Sequence, residues 1–364
     1  MGDACPLLGR PLMVCVDLLD RDTFLSNCCS SNTECLLQGL PIPQTPTGEG
    51  SGRTELMGAF KAFSPAGISS FFQICDSEPD GRPITDPERI GSRGGGFALE
   101  RGVLTEVEVE ESGDKKIEVF INGRPAPEAE TTKKVVEMLL GMAGRRYAVK
   151  VKHRIDVPVG AGFGTSAAGA LGTAMALSRA LGISLTFNQI GRLAHIAEVE
   201  CRTGLGTVTG LLFGGCVLVK KPGAPDSSSV DRIPVPPDYY IVAGVFRPRL
   251  TSDFLEKVDR EIINRMGAET LKRILEEPSL ENFMRRSREF AEKAGLVTER
   301  VARLMDASQR AGAVGAAENM LGEAVHALVP HDRLERVLEA FSEVLPKEKI
   351  IVSRIENQSV RLVG

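Results

Sequence analysis

The stretch from Asp156 to Gly172, DVPVGAGFGTSAAGALG, constrains this chain more than any other. Glycines stand at Gly160, Gly162, Gly164, Gly169 and Gly172, and no charged side chain occurs between Gly160 and Leu171, in a chain that is 25% charged overall. The preceding RRYAVKVKHRI places Tyr147, Val149 and Val151 on one face at period two, which predicts a half-buried strand. From Ser166 to about Leu181 the pattern predicts a helix. A glycine-rich turn leading from a strand into a helix lets backbone approach a ligand closely, with successive N–H groups directed into one concavity. The helix N-terminus adds about half a positive charge. Together they make an anion cradle suited to phosphate. Thr165 and Ser166 supply hydroxyls where a magnesium ion or a phosphate oxygen would sit.

Three readings of the turn stand on the residues alone. The P-loop pattern G-x-x-x-x-G-K-(S/T) is absent, because no lysine follows the glycines. The dinucleotide pattern G-x-G-x-x-A is met by Gly162, Gly164 and Ala167, yet no acidic residue follows until Glu198, where a ribose contact is expected about 20 residues on. A third reading is a tight turn whose small residues, Ala167, Ala168, Gly169, Ala170 and Gly172, serve helix packing.

The segment Pro158–Leu171 resembles the ATP-binding motif of the GHMP kinases, P-x-x-x-G-(L/F)-G-(S/T)-S-A-A. Pro158, Gly162, Gly164, Thr165, Ser166, Ala167 and Ala168 match it. The blocks FSPAGISSFFQI, GSRGGGFALERGVLTEV, DVPVGAGFGTSAAGAL, AHIAEVECRTGLGTVTG and AENMLGEAVHAL, in that order, are similar to the archaeal pantoate kinases. The similarity covers about residues 59–364. It implies an α+β two-domain kinase fold, with ATP and Mg2+ as cofactors and pantoate as the small-molecule substrate. Residues 59–236 would form a ribosomal-protein-S5-like ATP-binding domain and residues 237–364 a ferredoxin-like α+β domain. Nucleotide contacts fall on Pro158, Gly160, Gly162, Gly164, Thr165, Ser166 and Ala167. Ser166 and Glu198 take the catalytic, magnesium-holding roles, with Glu200 in reserve. Ser64, Pro65 and Gly67 form the first motif, and Ser64 and Gly67 would line the substrate side. Arg93, a planar guanidinium among glycines, would grip the substrate carboxylate, with Arg247 as a second candidate. His195 shares a helix face with Glu198 and is expected to be structural. Asp156 is expected to be structural too.

The motifs also depart from the family. Mevalonate-type relatives carry a catalytic lysine where Gly67 stands. They carry an aspartate in the turn after the magnesium-binding helix, where this chain has GLGTVTG with Thr207 and Thr209. The late K-x-S-G-x-G run is missing as well. No general base can be named, and the expected chemistry is direct attack by the substrate hydroxyl. A kinase acting on a homoserine- or mevalonate-type acceptor, and a nucleotide-binding regulator without catalysis, are the competing functions.

Elsewhere, AFKAF and ISSFFQI predict strands around a turn at Ser64–Gly67. GGFALERGVLTEVEVEE and KKIEVFING predict an antiparallel pair joined by SGD. TTKKVVEMLLGMA predicts a helix, as does the segment from Thr186 to Cys201, capped by Thr186 or Asn188. GGCVLVKKPG and YYIVAGVF predict strands on either side of a domain boundary at PVPP. Beyond it SDFLEKVDREIINRM, LENFMRRSREFAEKAG, TERVARLMDASQRAG and RLERVLEAFSEVL predict helices, and EKIIVSRI and SVRLVG predict strands.

Residues 1–58 lack periodicity and read as a flexible extension, or as sequence upstream of a true start at Met57. Five of eight cysteines lie there without C-x-x-C spacing or a nearby histidine, which predicts free thiols rather than zinc. The net charge is −4 with no Lys/Arg block, which argues against nucleic acid and membrane partners. No basic, apolar leader opens the sequence, so a cytoplasmic protein is expected, and a homodimer is the assembly to test.

Overall fold

The structure, a computed structural model, describes residues 57–248, 258–320 and 322–364. The expected extension and the beginning of the helix expected from Ser252 lie outside these residues.

The first sheet is built on two long strands, β1 (Met57–Cys75) and β2 (Gly91–Glu111), paired antiparallel along almost their whole length. Ser64–Gly67 is therefore not a turn between two strands. Pro65 and Gly67 lie inside β1, and the register slips where Pro65 pairs with Gly102 and Ala66 with Leu99, leaving Glu100 and Arg101 to bulge outward. A bulge is where a strand tolerates proline, so turn-forming residues here bend a continuous strand instead of ending it.

The expected hairpin of β2 with β3 (Lys116–Ile121) is also absent. β5 (Tyr147–Ile155) lies between them, antiparallel to β2 (Val107 opposite Val151) and parallel to β3 (Val119 opposite Val151). Alternation identifies a strand but not its neighbour. The parallel pair requires a crossover, which the two-residue β4 (Arg124–Pro125) and α1 (Glu130–Ala143) provide. β6 (Cys216–Lys221) pairs with the glycine-rich start of β2, and β7 (Ser229–Ile233) pairs with β6.

Two helices pack on this sheet and flank the site. α2 (Thr165–Ala180) is buried along most of its length. A Cβ on Gly172 would lie 2.4 Å from Thr105 Oγ1, so its small residues do serve close packing. Beneath α2, His153 bonds Thr105 (2.9 Å) through Nδ1 and Thr132 (3.0 Å) through Nε2, and burial pushes its pKa down to about 4. α3 (Phe187–Glu200) starts at Thr186, whose side chain and that of Gln189 form a reciprocal capping box. The short α4 (Thr207–Phe213) follows.

The second half runs β8 (Tyr239–Arg247), α5 (Arg260–Glu276), α6 (Leu280–Lys293), α7 (Glu299–Ala311), β9 (Gly315–Glu318), β10 (Glu323–Pro330), α8 (Leu334–Ser342) and β11 (Ile350–Arg354). Its sheet is antiparallel in the order β11-β8-β10-β9, a βαββαβ arrangement of ferredoxin-like type. Asp259, Ser279 and Thr298 cap α5, α6 and α7 with side-chain oxygens. The chain then returns to the first sheet, where β12 (Arg361–Leu362) pairs with β1 at Ala62 and Phe63.

One apolar cluster joins residues of both sheets, including Phe71, Phe97, Ile241, Phe283 and Leu328. Phe283 of α6 stands edge-on to Phe97 (centroids 5.2 Å apart) and Phe71 (5.9 Å). A second cluster beneath the ferredoxin-like sheet holds Val242, Val301, Leu304 and Phe341. Phe283→Ala is expected to cost about 3–5 kcal/mol of stability, read from urea denaturation midpoints.

Candidate active site

The glycine-rich loop runs from the end of β5 to Gly164, directly before α2. Ala161 (0% exposed) and Phe163 (1%) anchor it in the core. Between these anchors Gly160, Gly162 and Gly164 remain half-exposed, with φ of 73°, 77° and 57°. Side chains rarely adopt such backbone, so the zigzag depends on glycine. Gly164 directly precedes α2, and no side chain caps that helix. The leading N–H groups of a 16-residue helix thus face the same side as the loop, an arrangement that favours an anion.

The bulged part of β1 closes against this loop. Gly67 N–H donates to Phe163 O (3.0 Å). A Cβ on Gly164 would lie 2.6 Å from Thr207 Cγ2, and one on Gly67 would lie 2.7 Å from Leu211 Cδ2. A small cleft opens here, lined among others by Gly67, Ser69, Ser92, Gly94, Gly206 and Thr207.

Ser166, in the first turn of α2, hydrogen-bonds the Glu198 carboxylate of α3. Thr203 Oγ1 donates to Glu198 Oε1 (2.8 Å). Glu198 is 2% exposed, and Gly204 leaves room for it, since a Cβ there would fall 2.0 Å from Oε2. Burial holds this carboxyl above the usual range, while the Ser166 and Thr203 hydroxyls pull the other way. Among the described residues no cation offsets its charge. A buried carboxylate beside a hydroxyl is a hard-oxygen donor set that fits Mg2+. The described residues contain no group of three or more His, Cys, Asp or Glu side chains placed to hold a metal. A cation here would complete its shell with phosphate oxygens and water.

The family profile described as "GHMP kinases N terminal domain" matches residues 130–215, which include the loop, Ser166 and Glu198. The pantoate kinase of Methanocaldococcus jannaschii is 32% identical over 278 residues, 76% of this chain and 95% of that protein. The pantoate kinase of Thermococcus kodakarensis is 34% identical over 289 residues, 78% of this chain and 92% of its own. The chain belongs to the pantoate kinase family of GHMP kinases. A solved structure described as a phosphotransferase related to the CoA biosynthesis pathway superposes with a TM-score of 0.75 at 32% identity, covering 84% of this chain and 99% of that one.

In this member of the pantoate kinase family, the loop glycines, Ser166, Glu198 and Gly67 lie in one region of the fold. The reserve ligand does not join them, because Glu200 pairs with Lys134 (2.5 Å). Ser64 is fully buried in β1, and its hydroxyl donates to Pro65 O (3.3 Å), so it does not face the cleft. Arg93 is also set apart. Its Nε donates to Gln73 Oε1 (2.9 Å), and it lines a separate groove with Lys220, Leu271, Lys272 and Glu276. Its neighbours Ser92 and Gly94 line the cleft, while Arg93 lines this other groove. Arg247 lies 3.8 Å from Glu323. His195 is structural, its Nε2 bonding Ile90 O (2.9 Å) and Pro87 O (3.2 Å).

Sequence reasoning missed Thr203, five residues beyond Glu198, whose only signal was a hydroxyl just past the end of α3. It also missed Asn319, whose Nδ2 donates to Ala161 O (3.5 Å) across the fold.

The raised pKa of Glu198 has a stability consequence. Below its ordinary pKa of 4.5 the carboxyl is protonated in both states and costs nothing. As pH rises through the folded-state value, the folded protein must hold the charge in a dry site and stability falls. In metal-free protein at pH 8, Glu198→Gln is expected to stabilise the fold and raise Tm. That gain should shrink towards zero as the pH is lowered to 4.5 or below, measured by thermal melts with chelator present.

Proposed function

We propose that this chain transfers the γ-phosphoryl group of ATP to the hydroxyl of (R)-pantoate, giving 4-phosphopantoate and ADP, within coenzyme A biosynthesis. The observation that carries the chemistry is the buried Ser166–Glu198 pair at an uncapped helix start that continues a glycine loop. The acceptor follows from relatedness to pantoate kinases over more than nine-tenths of their length.

The loop backbone and the first turn of α2 bind the nucleotide phosphates through N–H groups, contributed by the segment from Gly160 to Ala167. Ser166 and Glu198 hold Mg2+ by oxygen. When bound, that ion neutralises charge on the phosphate oxygens. Burial of Glu198 keeps water from competing for its carboxylate. Gly67 lines the cleft where β1 meets the loop.

Among the described residues, none of those lining the cleft carries an ionisable side chain. No general base is assigned to the transfer. Phosphoryl transfer tolerates this, because positioning and charge stabilisation supply most of the rate. Among the described residues no helix is long and apolar enough to cross a membrane, and we place the activity in the cytoplasm.

The test is ADP release from magnesium–ATP with pantoate, homoserine, mevalonate or no acceptor. Turnover is expected with pantoate alone. Turnover with another acceptor only would discard pantoate, and nucleotide binding without turnover on any acceptor would discard the kinase. Ser166→Ala and Glu198→Ala are each expected to lower kcat on the order of 100-fold or more. Wild-type turnover in both variants would remove the magnesium assignment.

A further inference from the structure

The loop's inner side meets a hairpin from the second sheet. Asn319 (1% exposed) follows β9, and His326 (0%) lies in β10. The hairpin is tightly closed, with Asn319 N–H donating to Ala324 O (2.8 Å) and Gly322 N–H to Asn319 O (2.9 Å). Met320 N–H donates to Ser69 O (2.8 Å), which fixes the hairpin on β1. Its tip presses on the loop, where a Cβ on Gly322 would lie 2.8 Å from the Ala161 carbonyl carbon.

Three side chains form a buried line behind that contact. Asn319 Nδ2 donates to Ala161 O (3.5 Å), so its Oδ1 is left to accept from His326 Nδ1–H (2.9 Å). A neutral imidazole carrying its proton on Nδ1 accepts at Nε2, and Ser70 Oγ–H donates there (2.9 Å). Ser70 is itself fully buried. The relay Ser70–His326–Asn319 thus runs in one direction and ends on a single carbonyl of the loop.

That carbonyl belongs to the peptide joining Ala161 to Gly162. The peptide is planar, and in a trans unit its C=O and N–H point in opposite directions. Gly162 has φ of 77° and no side chain to resist rotation of this plane. Drawing the carbonyl inward turns the Gly162 N–H outward, away from the hairpin and towards the open side of the loop.

We propose that Asn319, held by His326 and Ser70, is a positioning residue that sets the Gly162 N–H of the loop for nucleotide phosphate. The inference rests on the reading of this loop as the phosphate cradle. It assigns the late segment AENMLGEAVHAL a role on the nucleotide side of the reaction.

Asn319→Asp tests it. The variant keeps an acceptor for His326 Nδ1–H and replaces the donor to Ala161 O by an oxygen. The readouts are the Kd of magnesium–ADP by titration calorimetry and the separate KM values for ATP and pantoate. Losing one oriented hydrogen bond is expected to raise Kd and the KM for ATP about tenfold, with the KM for pantoate within about twofold. A merely structural defect would lower the active fraction, hence kcat, and leave both KM values in place. Ser70→Ala, which removes only the far end of the relay, is expected to shift the ATP KM in the same direction by about two- to threefold. It serves as the readout should Asn319→Asp fail to fold.

Gly162→Ala separates the two possible failures, because it disturbs the loop directly. If Gly162→Ala weakens magnesium–ADP binding and the relay variants do not, the positioning role is overturned and the cradle stands. If Gly162→Ala binds magnesium–ADP as the wild type does, the cradle reading and the positioning role fall together.

Discussion

Everything in the site depends on a backbone segment held in a conformation that side chains resist. Between Ile155 and Thr165 the chain alternates buried anchors with glycines of positive φ, and the anchors fix where the glycines lie. Phe163 lends its carbonyl to Gly67, so the first strand and the loop share one hydrogen bond. Thr207 packs where Gly164 lacks a Cβ. The first strand, the loop and the short fourth helix meet at these glycines, and a methyl group at Gly67 or Gly164 would force them apart.

The same region carries a charge that the fold alone does not stabilise. Glu198 is enclosed by α3, the start of α2 and the turn at Gly204, with hydroxyls as its hydrogen-bond partners. A buried carboxylate in such company is costly unless a cation joins it. His153 and His326, buried as deeply, are kept neutral by that burial, and each imidazole finds hydroxyl or amide partners on both nitrogens. The contrast separates polar groups that organise the core from one kept available for binding.

Much of the nucleotide side could be read from the sequence because it is local. A strand, a glycine turn and a helix follow one another within one stretch, and Ser166 and Glu198 sit together at the open end of one helical hairpin. The capping box at Thr186 is local too. What the sequence hid depends on pairing across distance. Pro65 reads as a turn residue unless a bulge is known to absorb it. The insertion of β5 between β2 and β3 leaves no mark on the residues of the SGD turn. Arg93 has suitable chemistry for a carboxylate, but its side chain bonds Gln73 and lines a different groove. Glu198 and Glu200 look equivalent in sequence, and Lys134 of a different helix distinguishes them.

The return of the chain to its starting sheet bears on the order in which this protein can be completed during synthesis. β1 receives β12 at Ala62 and Phe63, and the inner face of the glycine loop is closed by Asn319 and Gly322. A ribosome that has finished the whole amino-terminal half has therefore made a glycine loop with one wall missing. Phe71 and Phe97 likewise await Phe283. The nascent chain carries exposed aromatic surface until Phe283 has emerged, a demand that falls on chaperones and on translation speed rather than on the finished enzyme.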